Sequence, residues 1–269
     1  MALILDGRVV RDEIAAELTT RVAHLVRSQA SNKVPGLAII QIGDNATSNT
    51  YIKQKKLFGE RVGVKVVHYK LGESTAKEEV MELVEKLNND DEVNGIILQL
   101  PLPDHLLADE LVAKIKPEKD VDGLTPTNAE KLMRGDPSGI VPATARGVMA
   151  LLGYYQVPVV GKKVAVVGRS RLVGKPIALL LRARGAIVTV CHRHTLDLAA
   201  ETRAAEILIV AAGSPKLITA EHVRAGQVVI DVGISRDDDD KLVGDVDFAA
   251  VEPIVAAISP VPGGVWPLT

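Results

Sequence analysis

The sequence predicts an α/β fold made of two α/β domains that flank a cleft. Short runs rich in Val, Ile and Leu alternate along the chain with longer segments whose apolar residues recur at helical spacing. This alternation is typical of parallel strands buried under helices on both faces of a sheet. A length of 269 residues and a hydrophobic fraction of 47% allow one large or two small domains with a sizeable core.

In the first half of the chain, strands and helices alternate. Short apolar runs predict strands at residues 37–42, 64–69 and 95–100. Segments with helical spacing predict helices at residues 10–28, 49–60, 75–88 and 104–115.

The second half shows the same alternation. Apolar runs predict strands at residues 163–167, 186–190, 207–211 and 228–231, with a strong helix at 173–184 and a weaker one after Thr195. Turn-forming residues concentrate between Arg134 and Pro142, and a helix-like segment at 143–152 follows them. We therefore predict a first domain over residues 1–142 and a second over residues 143–269.

Composition and charge exclude several classes of function. Lys and Arg total 32 and Asp and Glu total 34, so a net charge of −2 gives no global attraction to nucleic acid or to an anionic membrane. Aromatic residues make up 3% of the chain, too few for a base-stacking surface. The N-terminal apolar stretch stops at Asp6, too early for a signal peptide, and no apolar run is long enough to span a bilayer.

The single cysteine, Cys191, excludes an internal disulfide and a multi-cysteine zinc site. It is compatible with a reducing compartment. We therefore expect a cytoplasmic protein with no nucleic-acid partner and no membrane partner.

A glycine-containing turn joins the predicted strand at 163–167 to the helix that follows it. Its sequence is Gly168-Arg-Ser-Arg-Leu-Val-Gly174-Lys-Pro176. Gly168 permits a tight turn, Gly174 permits a close approach, and the helix N-terminus offers free N–H groups to a pyrophosphate. Because the spacing departs from the usual G-x-G-x-x-G, a plain tight turn is the alternative for this pair of glycines taken alone.

The next predicted strand ends in Cys191-His192-Arg193-His194, where an NAD site usually carries an Asp or Glu for the ribose hydroxyl. Arg193 and Arg169 instead place guanidinium groups where a 2′-phosphate would bind, which favours NADP over NAD. The alternative is two arginines on a solvated rim. His192 and His194 have no cysteine or carboxylate at ligand spacing, so we expect no metal site.

Ser48 is followed by Tyr51 and Lys55, which lie four residues apart on the predicted helix at 49–60 and share one face. A lysine beside a tyrosine in a cleft can carry a proton if burial or a nearby cation favours its neutral amine. The alternative is an exposed basic helix, because Lys53 and Lys56 are neighbours of Lys55.

Two polar segments lie further along the chain, at predicted strand ends. Gln99-Leu-Pro-Leu-Pro103 closes a buried strand, and Asp120-Val-Asp122-Gly123 follows a loop. Open α/β sheets bind their ligands at such positions, so both segments are candidate binding loops.

Five motifs therefore follow one another along the chain. They are Gly43-Asp44 with Ser48, Tyr51 and Lys55; Gln99-Leu-Pro-Leu-Pro103; Lys119-Asp-Val-Asp122-Gly123; Gly168-Arg-Ser with Val173-Gly174-Lys-Pro176; and Pro260-Val-Pro-Gly-Gly264-Val265. In this order they resemble the bifunctional methylenetetrahydrofolate dehydrogenase/methenyltetrahydrofolate cyclohydrolase family. The resemblance covers nearly the whole chain.

The resemblance implies oxidation of 5,10-methylenetetrahydrofolate by NADP⁺, followed by hydrolysis of the 5,10-methenyl product to 10-formyltetrahydrofolate. Both reactions would use one cleft and would belong to one-carbon metabolism and purine biosynthesis. The family's main catalytic lysine corresponds to Lys55, with Tyr51 placing the substrate, Gln99 beside the lysine and Asp122 holding the pterin ring. Whether Lys55 acts as a base or as an acid stays open.

The resemblance also implies two sets of binding residues and a homodimer formed through the second, Rossmann-type domain. The substrate set is Ser48, Tyr51, Gln99, Leu100, Pro101, Asp122, Pro262, Gly263 and Gly264. The NADP set is Thr144, Gly168, Arg169, Ser170, Val173, Gly174, Pro176, His192, Arg193, Thr195, Ala212, Gly213, Gly233 and Ile234.

The chain departs from the family pattern at several places. Pro142-Ala-Thr-Ala145 replaces Pro-Cys-Thr-Pro, Leu124-Thr125 replaces Phe-His, and Trp266 replaces a glycine, where an indole could narrow the folate or nicotinamide pocket. The family continues past the position of Thr269 into a return helix, so we expect a less stable domain arrangement here. Two alternatives follow: an enzyme with the dehydrogenase activity alone, or a non-catalytic dinucleotide-binding module.

Overall fold

The computed structural model describes residues 1–28, 33–237, 239 and 241–269, without the side chain of Thr47. The described chain divides into two compact units, and the predicted α/β class is confirmed. One unit joins Met1–Arg11 to Val141–Thr269, and the other is Asp12–Ile140. The sequence analysis placed residues 1–142 together, whereas residues 1–11 group with the C-terminal unit because a strand within them pairs there.

Strands and helices are numbered in chain order. The strands are β1 (Leu3–Ile4), β2 (Gly36–Ile42), β3 (Lys65–Leu71), β4 (Gly95–Leu98), β5 (Lys163–Val167), β6 (Ile187–Cys191), β7 (Ile207–Val210), β8 (Val228–Asp231), β9 (Ser235–Arg236), β10 (Leu242–Val243) and β11 (Ala257–Ile258). The helices are α1 (Gly7–Ser28), α2 (Ala46–Val62), α3 (Lys77–Asn88), α4 (Ala108–Val112), α5 (Pro126–Arg134), α6 (Ala143–Tyr154), α7 (Gly174–Ala183), α8 (Leu198–Ala204) and α9 (Phe248–Val251).

The unit of residues 12–140 contains a parallel sheet in the order β3-β2-β4. Its central strand β2 is apolar almost throughout, because both faces of the sheet are covered. On one face, Val80, Val84 and Leu87 of α3 are fully buried at helical spacing against the core that includes Ile40. This packing fixes the carboxyl ends of β2 and β4, where the polar motifs begin.

The other unit contains a parallel sheet in the order β1-β11-β8-β7-β5-β6. The chain passes from β5 to β6 on one side and then returns to β7 on the other side of β5. Such a reversal leaves a crevice at the carboxyl ends of the strands, which is where open α/β sheets bind nucleotides. The apolar strands β5, β7 and β8 form the core beneath this edge.

Several predicted bounds differ from the structure. The helix predicted at 104–115 is only the short α4, because Asp104 and His105 lie in a turn that Pro103 closes by accepting from the N–H of Leu106. The strand predicted at 95–100 ends at Leu98, and Gln99 begins the loop. Strands β1, β9, β10 and β11 and helices α5 and α9 were not predicted.

Candidate functional site

The proposed catalytic helix is α2, and its start is fixed by a side-chain cap. Asn45 accepts a hydrogen bond of 3.0 Å from the backbone N–H of Ser48, which satisfies one of the free donors of the first turn. Ser48, Tyr51 and Lys55 then follow at spacings of three and four residues and share one face of the helix. Ser48 is buried, and Tyr51 and Lys55 are half-buried.

Lys55 contacts Gln99 directly. Its Nζ donates a hydrogen bond of 3.2 Å to Gln99 Oε1, and Gln99 is only 9% exposed at the end of β4. The amide nitrogen of Gln99 donates to the backbone oxygen of Leu100 at 2.9 Å, so the carbonyl oxygen is the atom turned to the lysine. The structure therefore brings together two residues that lie 44 positions apart in the sequence.

Leu100 also ties the loop after β4 to α2. Its backbone oxygen accepts a second hydrogen bond, of 3.4 Å, from the Ser48 hydroxyl. The next residue, Pro101, is exposed and follows a cis peptide bond. Ser48, Lys55, Gln99 and Leu100 thus form one hydrogen-bonded group.

The loop that carries Asp122 is anchored by a different carboxylate. Asp120 is 1% exposed and accepts hydrogen bonds from the backbone N–H groups of Leu124 and Thr125, at 3.1 and 2.8 Å, and from the Asn128 amide at 2.9 Å. Asp122 is half-buried two residues further along. Asp120 therefore anchors the loop that carries Asp122.

The sequence analysis named Asp120 within a candidate binding loop but did not predict its anchoring role, and it did not name Asn128. Thr125 caps α5 and Pro126 opens it, so this pair marks a helix start. An acidic residue just before such a start is the signal that points to Asp120.

In the other unit, the turn after β5 requires both of its glycines. Gly168 has a φ of 118°, and a Cβ atom there would lie 2.1 Å from the backbone oxygen of Ala211. A Cβ on Gly174 would lie 2.1 Å from the backbone oxygen of Gly168. The first approach joins the turn to the loop after β7, the second closes the turn on itself, and no other residue type fits either position.

Ser170 shapes the entry into α7. Its hydroxyl oxygen accepts from the backbone N–H groups of Val173 and Gly174 at 3.2 and 3.4 Å. Pro176 is buried in the first turn of α7, where its missing N–H costs no helical hydrogen bond.

Two arginines place positive charge beyond the end of β6. His192 and Thr195 form a tight turn, in which the Thr195 hydroxyl accepts from the His192 N–H at 2.9 Å. Burial lowers the pKa of His192, and the nearby charges of Arg169, His194 and Arg193 lower it further. At neutral pH the positive charge here therefore belongs to the exposed guanidinium groups of Arg169 and Arg193.

A pocket of about 340 Å³ lies at the carboxyl edge of the six-stranded sheet. Seven residues of the predicted NADP set line it: Thr144, Ser170, Val173, Ala212, Gly213, Gly233 and Ile234. Trp266, where the chain carries a bulky residue in place of the family's glycine, lines the same pocket as the predicted NADP residues. The remaining lining residues are Ala211, Val232, Val265 and Thr269.

The Pro262-Gly263-Gly264 loop folds against the start of α1. Gly263 accepts a hydrogen bond of 2.8 Å from the Gly7 N–H, and the Gly264 N–H donates to Pro260 at 2.8 Å. A Cβ on Gly264 would lie 2.6 Å from the Pro260 oxygen, so its own loop fills that space. Gly263 and Gly264 are buried, whereas Pro262 is exposed.

Within the described ranges, no group of three or more His, Cys, Asp or Glu side chains is placed to hold a metal ion. None of the helices that the structure describes is both long and apolar enough to cross a membrane.

Profiles of one protein family match both halves of the chain. The catalytic domain of tetrahydrofolate dehydrogenase/cyclohydrolase matches residues 5–122, and the NAD(P)-binding domain of tetrahydrofolate dehydrogenase/cyclohydrolase matches residues 142–269. The bifunctional protein FolD of Agathobacter rectalis is 45% identical over 269 residues, which cover 100% of this chain and 95% of that protein.

Solved structures agree with these matches. The bifunctional FolD enzyme of Campylobacter jejuni superposes with a TM-score of 0.96 at 42% identity, covering 100% of this chain and 94% of that one. The Trypanosoma brucei enzyme, complexed with NADP cofactor and an inhibitor, superposes with a TM-score of 0.93 at 39% identity, covering 99% and 93%.

Proposed function

Because the chain belongs to the tetrahydrofolate dehydrogenase/cyclohydrolase family, we propose that Lys55 is its main catalytic residue and that Gln99 orients the lysine amine. The enzyme oxidises 5,10-methylenetetrahydrofolate with NADP⁺ and hydrolyses the 5,10-methenyl product to 10-formyltetrahydrofolate. The hydrogen bond from Lys55 Nζ to Gln99 Oε1 is the observation that carries the residue assignment.

Hydrolysis requires a proton carrier. Water adds to the methenyl carbon, one carbon–nitrogen bond breaks, and the water loses both protons as its oxygen becomes the formyl oxygen. The released folate nitrogen takes up one of these protons, and the other leaves to solvent, because the methenyl compound is a cation at this position and the formyl product is not. Lys55 Nζ transfers a proton in this sequence, as a base toward the water or as an acid toward the nitrogen. Gln99 suits this role because an amide oxygen orients the amine without adding a charge.

We assign folate binding to the loops around Lys55. Tyr51 and Ser48 lie on its helix face, and Leu100 and Pro101 follow Gln99. The Asp122 carboxylate accepts N–H groups of the pterin, and the three hydrogen bonds of Asp120 support its loop. Pro262, Gly263 and Gly264 complete the proposed substrate set.

The dinucleotide fits the crevice of the six-stranded sheet. Bound NADP⁺ supplies the hydride acceptor for the oxidation. We assign the pyrophosphate to the Gly168–Gly174 turn and the 2′-phosphate to Arg169 and Arg193 beyond β6, with His192 and Thr195 shaping that turn. The seven predicted residues that line the pocket surround the cofactor.

Initial rates of 5,10-methylenetetrahydrofolate oxidation test the proposed activities and the cofactor assignment. The purified enzyme is given 5,10-methylenetetrahydrofolate with NADP⁺ and, in parallel, NAD⁺, while the reduced cofactor and the methenyl intermediate are followed. We expect faster turnover with NADP⁺ and no accumulation of the intermediate. Accumulation would indicate the dehydrogenase activity alone, and NADP⁺ binding without turnover would indicate a dinucleotide-binding module.

Replacing Arg193 by Ser should change cofactor preference. Loss of a charge-assisted contact to the 2′-phosphate is expected to lower the ratio of kcat/KM for NADP⁺ to that for NAD⁺ by about tenfold or more. Arg184→Ser is the control. Arg184 is the C-cap of α7, at the opposite end of that helix from the Gly168–Gly174 turn, and its loss should leave the ratio unchanged. An unaltered ratio in the Arg193 variant would remove this residue from the phosphate site.

We also propose that the enzyme is a homodimer formed through the edge strand β6. Among the described strands, β6 is the last in the order of its sheet, so one of its edges has no neighbouring strand, although Arg182 donates to the Val188 backbone oxygen. Ile187 at its start is 59% exposed. Two copies related by a twofold axis would pair these edges.

Light scattering after size exclusion should therefore give a mass of twice 28.7 kDa. Ile187→Lys should shift the mass toward the monomer by placing charges in the interface, whereas Leu196→Lys, at a fully exposed residue of the same unit, should not. A monomeric wild-type enzyme would rule out the homodimer.

We place the enzyme in the cytoplasm, a proposal that the buried free thiol of Cys191 supports. Burial raises the pKa of this thiol, so the thiolate is disfavoured. Fractionation of cells with an antibody against the protein checks the compartment, and a periplasmic or secreted pool would contradict it.

A further inference from the structure

Two buried carboxylates lie behind the dinucleotide pocket. Asp231 is the last residue of β8 and is 3% exposed, and Asp245 follows β10 and is fully buried. The sequence analysis used neither residue.

Asp245 holds the loop after β7. Its Oδ2 accepts from the backbone N–H groups of Ala212 and Gly213 at 2.6 and 2.8 Å, and its Oδ1 accepts from Ser214 at 2.8 Å. Ala212 and Gly213 line the pocket. One carboxylate thus turns three consecutive amides toward itself and sets the path of a pocket wall.

Asp231 supports Asp245 and a second wall. Its Oδ1 accepts from the N–H groups of Gly233 and Asp245 at 3.0 and 3.1 Å, and its Oδ2 accepts from Val246 at 2.9 Å. Gly233 also lines the pocket. The loops after β7 and β8 are therefore connected through these two side chains.

The backbone is shaped to admit both carboxylates. A Cβ on Gly233 would lie 2.2 Å from the Asp245 carboxyl carbon, and a Cβ on Gly244 would lie 1.9 Å from Asp231 Oδ2. Burial, together with the Asp245 charge, raises the pKa of Asp231 to about 7. Burying two carboxyl groups this close together costs free energy of folding. Their presence therefore indicates a role that apolar side chains could not perform.

The order of strands indicates which part of the cofactor these loops meet. If the 2′-phosphate lies beyond β6 and the pyrophosphate beyond β5, the remaining half of the dinucleotide extends over the ends of β7 and β8. That half carries the nicotinamide.

Resting on the proposed function, we infer that Asp245, supported by Asp231, is a positioning residue for the hydride-transfer reaction. Asp245 holds the Ala212–Ser214 loop and Asp231 holds Gly233, and together they set the arrangement that orients the nicotinamide half of NADP⁺. Hydrolysis of methenyltetrahydrofolate uses no hydride acceptor, so it should not depend on this arrangement.

Asp245→Asn tests the inference, because the amide keeps one acceptor oxygen and turns an N–H₂ group toward backbone donors. We expect KM for NADP⁺ to rise about tenfold or more and the dehydrogenase kcat to fall. The cyclohydrolase kcat should stay within about twofold. Asp247→Asn, which removes a neighbouring carboxylate and keeps an acceptor oxygen for the N-cap of α9, is the matched control and should preserve both dehydrogenase constants.

An equal loss of both activities in the Asp245 variant would overturn the inference, since it would indicate a structural role. If this variant does not fold, Asp231→Asn is measured in the same way. The criterion is again a loss of dehydrogenase activity with an unchanged cyclohydrolase kcat. Hydrogen exchange in the cofactor-free wild type gives an independent test: the amides of residues 212–214 should exchange slowly, and exchange as fast as in the exposed turn at residues 73–74 would contradict the inference. A wild type without either activity would instead refute the proposed function.

Discussion

Replacing Lys55 by Met should abolish hydrolysis of 5,10-methenyltetrahydrofolate. The variant keeps most of the aliphatic side chain and loses the amine that donates to Gln99. Because a positioned proton carrier contributes typically 10²–10⁴-fold, we expect kcat for hydrolysis to fall by about 10³-fold. Stopped-flow absorbance of the methenyl compound measures the rate.

Lys53→Met is the matched control for this experiment. Lys53 is exposed on the same helix, and its loss should leave hydrolysis within about twofold because surface substitutions have small effects. The Lys55 variant should still bind NADP⁺, since that pocket is built from the other unit. Cyclohydrolase rates equal to those of the wild type would eliminate Lys55 as the catalytic group.

Replacing Gly168 by Ala should remove dinucleotide binding and destabilise its unit. The added methyl group would lie 2.1 Å from the Ala211 oxygen, at a φ of 118° that a side chain rarely adopts. Strain and overpacking together should lower the free energy of unfolding by on the order of 3 kcal/mol. Urea denaturation measures stability, and titration calorimetry with NADP⁺ measures binding.

Gly153→Ala serves as the control in the same unit. Gly153 lies in α6 with nothing within 4 Å of an added Cβ atom, so alanine should be neutral or slightly stabilising there. If the Gly168 variant kept wild-type stability and NADP⁺ affinity, the turn could accommodate a methyl group. The close approach to Ala211 would then be unnecessary for binding.

The sequence predicted the strands that carry the core well. Strands β5 and β8 have the predicted bounds because each is a short apolar run between turn residues. Strands β1 and β11 have two residues each, too few to show any periodicity, and their pairing depends on the completed sheet.

The site was predicted unevenly for a similar reason. Lys55 and Gln99 belong to recognisable motifs, and the structure joins them. The anchoring roles of Asp120 and Asp245 were not predicted, because an acidic residue in a loop is usually solvent-exposed and only the folded chain shows the backbone N–H groups that donate to each carboxylate.

The pairing of β1 with β11 has a consequence for folding during synthesis. Leu3 and Ile4 leave the ribosome early, whereas their partners Ala257 and Ile258 are synthesised much later. Until then β1 has no partner strand, and that edge of the six-stranded sheet stays unpaired. The C-terminal unit therefore cannot complete its sheet before Ile258 has been synthesised, whereas residues 12–140 can fold earlier.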